Sequence, residues 1–163
     1  MNKEEFLREL KKWPTDERKL EFIENVLKEK IDNEVKLAAI LARAEIYLGK
    51  KWARLAAQEF CNAASLASDS KQQAEFYFKA ALAYLAATEY IDSEELLKKA
   101  VVLAKGEEKE KLRKQFISAF FEQAAKFEKE NKFVKAIQAY EKLLTLASER
   151  RQEVYDKLIK LYE

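Results

Sequence analysis

Three observations predict an all-α fold. The chain holds two glycines and one proline in 163 residues, too little turn chemistry for the many reversals a sheet needs. Its β-branched runs, such as Val101-Val102, are too short for several strands. Its apolar residues recur three and four positions apart, the spacing that lines one face of a helix. Lys plus Arg number 31 and Asp plus Glu 29, so the surface is dense in both signs and carries no strong field toward either. The length suits one domain spanning 1–163 with its own core, and no stretch reads as a linker.

Local chemistry places nine helices, near 3–13, 15–30, 32–48, 51–68, 70–88, 91–105, 107–130, 132–147 and 149–162. The first carries Phe6, Leu7, Leu10 and Trp13 on one side and stops before Pro14, because proline disfavours helical geometry in the residue preceding it. Thr15 caps the second, whose face is Leu20, Ile23, Val26 and Leu27; Asp32 caps the third. Gly49 reads as the turn into the fourth. Ser70-x-x-Gln73 reads as a capping box for the fifth, and Lys105-Gly106 as a cationic last turn followed by a left-handed stop. The stretch 107–130 has no Gly or Pro and can run as one long helix, and Ser148 reads as the cap of the last. Short connections imply antiparallel neighbours.

An ordered series of large and small apolar residues recurs on consecutive helices. It reads Phe120-x2-Gln123-Ala124-x2-Phe127 with Phe133-x2-Ala136-x3-Tyr140-x2-Leu143, and Tyr77-x2-Ala80-Ala81-x2-Tyr84 with Tyr90-x2-Ser93-x3-Leu97-x2-Ala100. A third copy is Ile40-x2-Arg43-Ala44-x2-Tyr47 with Ala56-x3-Phe60-x2-Ala63, and a half copy is Tyr155-x2-Leu158-Ile159-x2-Tyr162. Helical hairpins pack closely where a small residue on each helix faces the partner, which puts the closest approach at Ala124 and Ala136. The series resembles the tetratricopeptide repeat (TPR) family over 32–163. Equivalent positions are 37, 43 and 35 residues apart, against about 34 in the family. The excess implies longer helices. Arg43 and Ile159 stand where the family has small residues, and the family's closing proline is missing from every copy.

The resemblance implies an α-solenoid, antiparallel hairpins stacked into a TPR-like right-handed superhelix. It divides the chain into an N-terminal hairpin (1–31), repeats at 32–68, 70–105 and 107–147, and a capping helix at 149–163 with a polar outer face. It also implies a non-enzymatic scaffold or adaptor whose first helices line a concave groove for a protein partner. Carried over, the groove is Leu41, Glu45, Phe78, Lys79, Leu82, Leu85, Phe121 and Glu122, with Ala42, Leu48 and Ala125 beside them. The cationic clamp with which some members hold chaperone tails is absent, so an amphipathic helix or apolar peptide is the expected ligand. Glu45, Lys79 and Glu122 could form an alternating ladder. Beyond Lys79 the fifth helix is apolar all round, which leaves Phe78, Leu82 and Leu85 for the groove. A partner helix, a second copy, the chain's own first helix or tight winding of the repeats would each cover that stripe. Homo-oligomeric assembly is the alternative function, and RNA binding by helical repeats a lesser one.

Other classes find no chemistry. Without histidine there is no Ser-His or Cys-His catalysis and no His-based metal site. Gly49 and Gly106 alone cannot build a phosphate loop. The pairs Glu94-Glu95 and Glu107-Glu108 diverge by about 100° on a helix and do not face one substrate. The basic cluster Lys109-Lys111-Arg113-Lys114 is interleaved with Glu108 and Glu110, which argues against nucleic acid. We therefore expect no catalytic residues, cofactor, metal, small-molecule substrate or nucleic acid. Cys61 reads as a packed small hydrophobe. No run approaches a membrane span of about 18 apolar residues and the start lacks a signal core, so the expected address is the cytoplasm.

Overall fold

A computed structural model describes all residues, 1–163, as nine α-helices with no strand. They are α1 (Lys3–Leu10), α2 (Asp16–Lys28), α3 (Asn33–Gly49), α4 (Ala53–Ser65), α5 (Ser70–Ala86), α6 (Tyr90–Leu103), α7 (Glu107–Lys129), α8 (Phe133–Leu146) and α9 (Arg151–Tyr162), with a 3-10 turn at Ser148–Arg150 before α9. The contacts group them into two compact units, Met1–Gly106 and Glu107–Glu163.

The caps expected for α2 and α3 form. Thr15 Oγ1 accepts from Arg18 N–H at 3.3 Å, and Asp32 Oδ1 from Val35 N–H at 2.9 Å. Asn2 and Glu5 form a reciprocal capping box on α1. Three expectations are corrected. The cap of α5 is Asp69, whose Oδ1 takes the Gln72 N–H at 2.8 Å, and Ser70 is already helical. Ser148 begins the 3-10 turn instead of capping α9, which starts after Arg150 without a side-chain cap. Gly49 is the last residue of α3, while the left-handed conformation falls on Lys51 two residues later.

That last correction exposes the strongest regularity in the molecule. The left-handed residue of each hairpin turn is a non-glycine, Lys51 (φ 61°), Thr88 (φ 61°) and Asn131 (φ 58°). The next N–H in each turn bonds back five residues, Trp52 to Tyr47 O at 2.8 Å, Glu89 to Tyr84 O at 2.9 Å and Lys132 to Phe127 O at 2.8 Å. The left-handed residues' own N–H groups bond to Leu48 O, Leu85 O and Glu128 O, each at 3.0 Å. This is the Schellman closure of a helix end, made three times at one register. A β-branched residue suits the left-handed region worst. Thr88→Gly should therefore stabilise the first unit by about 1 kcal/mol and raise its Tm by several degrees in a thermal melt.

In the first unit α1 packs on α2 and α3. Phe6 stacks on Phe22 at 5.8 Å, Trp13 tilts against Phe22 at 6.1 Å, and Phe6, Ile23, Val26, Val35, Ala38 and Ala39 close a core layer with Leu10 at its edge. The N-terminal helix thus completes this layer and does not act as an occupant of the α5 face. A second cluster joins Ile40 of α3, Ala63 and Ala64 of α4 and Phe76 of α5. Along the hairpins the small residues Ala44, Ala56, Ala81, Ser93, Ala124 and Ala136 are all fully buried. Ser93 Oγ donates to Ala81 O at 2.6 Å, a bond possible only if α5 and α6 touch there. Arg43 is accommodated because Glu59 of α4 comes to 2.9 Å, a pair mostly withdrawn from solvent.

In the second unit α7 and α8 form the hairpin and α9 lies on α8. Phe116, Phe120, Ala124, Ala136, Tyr140, Leu143 and Val154 are among its buried residues with little or no solvent exposure. Phe116 and Phe120 meet edge to face at 5.9 Å.

Candidate functional site

Within each unit the residues expected in the groove differ in exposure. In the first unit Leu41 is half-buried beside the Ile40–Phe76 cluster, and Glu45 is exposed on α3. On α5, Phe78 and Leu82 are half-buried and Lys79 is exposed, but Leu85 is only 2% exposed and belongs to the core. The open strip of α5 runs Lys71, Glu75, Lys79 and Ala86, with Phe78 and Leu82 on its flank. The expected ladder is not formed on this side, because Lys79 Nζ lies 5.8 Å over the Phe60 ring. The face is thus a narrow amphipathic strip with one cation at its centre and a carboxylate on the neighbouring first helix.

In the second unit Glu122 is exposed, while Phe121 is covered. Its ring meets Tyr140 edge to face at 6.3 Å, and the Arg150 guanidinium lies 3.7 Å from its centroid. Glu153 holds that guanidinium in place with two bonds of 2.9 Å, which pulls its own carboxyl below the usual range. A cleft of about 270 Å³ opens alongside, lined among others by Lys114, Ile117, Ser118 and Arg150. Its cations and hydroxyls share the space with Glu149, and no pair of groups there makes a nucleophile and base.

Tyr140 carries the largest titration shift. Burial, and the Glu128 carboxylate nearby, push its pKa well above that of free tyrosine. A raised folded-state pKa stabilises below the unfolded value of about 10 and is lost as pH rises further. Wild type should therefore lose stability relative to Tyr140→Phe between about pH 10 and 12, measured by urea denaturation at each pH.

An exposed apolar shelf lies elsewhere in the first unit, at the α3–α4 turn. It is lined by Lys51, Trp52, Ala53, Arg54, Leu55, Ala86 and Ala87. Trp52 is packed by Tyr47 at 5.9 Å and by Lys50 Nζ at 5.1 Å, yet it stays 47% exposed, and Leu55 and Leu48 are also exposed. Arg54 reaches Glu89 at 3.2 Å across the shelf. Repeat register could have revealed this shelf. Trp52 takes the position of Glu89 and Lys132, and Leu55 that of Asp92 and Lys135. Two copies fill these wet positions with charges and one with large apolar side chains.

The half-buried Cys61 thiol is pushed up by burial, so it stays protonated at neutral pH and is a poor nucleophile. No group of Cys, Asp and Glu side chains is placed to hold a metal ion, and no helix is long and apolar enough to cross a membrane. No protein-family model, curated protein or solved structure matches the chain.

Proposed function

We propose that this protein is a non-enzymatic binding scaffold of the TPR-like kind. Its hairpins would wind as a right-handed superhelix, and the first helix of each hairpin would line a concave groove for an amphipathic helix or apolar peptide of another protein. The observation that carries this reading is the threefold recurrence of one hairpin. The same left-handed turn, the same back-bond and the same buried small residue nine positions after the Tyr47, Tyr84 and Phe127 ring recur in each. A chain built by repeating one contact-making unit presents repeated faces, and extended recognition is the use such faces serve.

In the first unit the ligand face is the strip of Phe78, Lys79 and Leu82 with Leu41 and Glu45 of α3. Half-buried apolar side chains supply desolvated anchors, and the paired signs of Glu45 and Lys79 orient a ligand with complementary charges. The hairpin of the second unit offers Glu122 at the register of Lys79, with Phe121 reachable only if Arg150 moves. A photo-crosslinking side chain at position 79 tests the reading in cells of the source. Adducts should form there and not from Gln58, which is exposed on the second helix of its hairpin. Equal labelling from both positions, or none from 79, would count against it. A homo-oligomeric role is the second reading, favoured by α9.

A further inference from the structure

The register that relates the hairpins also says which side of α9 should be covered. Tyr155, Ile159 and Tyr162 stand where α7 has Phe120, Ala124 and Phe127. In all three hairpins the middle position, Ala44, Ala81 or Ala124, is fully buried, and the paired second helix carries a fully buried small residue opposite it. On α9 the equivalent stripe is open. Tyr155 is 45% exposed, Ile159 59% and Tyr162 65%, although Val154 and Leu158 bury the adjoining face against α8. Of the four residues of the half copy only Leu158 is buried, and Tyr162 reaches α8 through its hydroxyl alone. Three large apolar side chains spaced i, i+4 and i+7 on a helix already fixed in place form a docking seam.

We propose that the occupant is α9 of a second copy, paired in parallel about a two-fold axis. Gln152, Tyr155, Ile159 and Tyr162 fall at alternating spacings of three and four, the seam of a two-stranded coiled coil, and each meets its own equivalent across the axis. Charge selects the orientation. In a parallel pair the residue flanking the seam on one helix faces the opposite flank five residues on in the other, which sets Arg151 beside Asp156 of the second copy, twice. An antiparallel pair would instead bring Asp156 toward Glu163 of the second copy, like against like, also twice. Arg151 and Asp156 are both exposed, and the Asp156 carboxylate, which accepts from Gln152 Nε2 at 2.9 Å through Oδ1, keeps its second oxygen for the arginine. The helix is short for an isolated coiled coil, but Val154 and Leu158 hold it folded on α8, so association orders little new backbone. The Tyr162 hydroxyl, donating to Glu141 of α8 at 2.8 Å, adds a tether near the end of the seam.

This inference is independent of the ligand-face proposal, and its test reads a different quantity. Sedimentation of the full chain over a micromolar to millimolar range should show a reversible dimer. Ile159→Asp, a change at an exposed position, should leave circular dichroism unchanged and weaken dimerisation about a hundredfold or more. Arg151→Asp should weaken it roughly tenfold, and Arg151→Asp/Asp156→Arg should restore it. In a Cys61→Ala background, single cysteines at 155, 159 and 162 should each link to themselves on mild oxidation, and one at Lys160 should not. A wild type monomeric throughout, or an Ile159→Asp variant dimerising as well as wild type, overturns the proposal. Self-linking at 159 alone overturns the parallel arrangement.

Discussion

Phe120→Ala should cost the second unit about 3–5 kcal/mol, enough to unfold most of it at room temperature. The ring has no solvent exposure and meets Phe116 edge to face at 5.9 Å. Truncation to Ala removes the apolar surface of a whole ring and leaves a cavity lined by side chains that can close only partly. The lost aromatic pair adds roughly 0.5–1.5 kcal/mol within that range. A unit as short as Glu107–Glu163 buries a smaller fraction of its chain than a full-sized domain does, so it has little stability to spare. Hydrogen exchange should show the amides of α7, α8 and α9 losing protection. The control is Phe133→Ala, at an exposed position on α8, which should change stability by no more than about 0.5 kcal/mol. Comparable losses from the two variants would mean that Phe120 is not part of a close-packed core.

Ala81→Leu and Ala86→Leu should differ sharply although both add the same atoms to the same helix. Ala81 is fully buried and its carbonyl receives the Ser93 hydroxyl at 2.6 Å, so no space for a longer side chain exists between α5 and α6. Forcing one in drives the helices apart and breaks that bond, for a cost of about 1–3 kcal/mol from overpacking and about 1 more from the lost hydrogen bond. Ala86 is exposed and should accept leucine within about 0.5 kcal/mol. Urea denaturation of the two proteins side by side measures the contrast. A mild Ala81→Leu would show that the hairpins are not held at their small residues.

The same helix marks how far sequence reasoning reached into the site. Lys79 and Glu45 were legible as exposed because long charged side chains stay in water unless paired. The fate of Phe78, Leu82 and Leu85 was not legible. All three fall on one face by spacing, yet Leu85 is core while Phe78 and Leu82 sit at its margin. A helix with apolar residues on every side has no preferred inward direction of its own. Neighbouring helices choose the direction, and the α5 surface turned to solvent is the one bearing Lys71, Glu75, Lys79 and Ala86. The Trp52 shelf was missed for another reason. An aromatic at a helix start reads as core until repeat register shows that its equivalents, Glu89 and Lys132, are charged.

By itself the sequence determined where the helices lie and which positions correspond between hairpins. Caps, the pre-proline stop at Trp13 and the 3.6-residue period act within a turn or two of chain, so the expected boundaries fall within about three residues of those observed. The Ala44, Ala81 and Ala124 series was equally readable, because only a small side chain fits a close helix crossing. Tertiary structure decided what each helix hides. It set Arg43 against Glu59, laid Arg150 over Phe121, and split α9 into a face held by α8 and a face left open. Those outcomes depend on atoms brought together from distant positions, and burial is a property of the neighbours as much as of the residue.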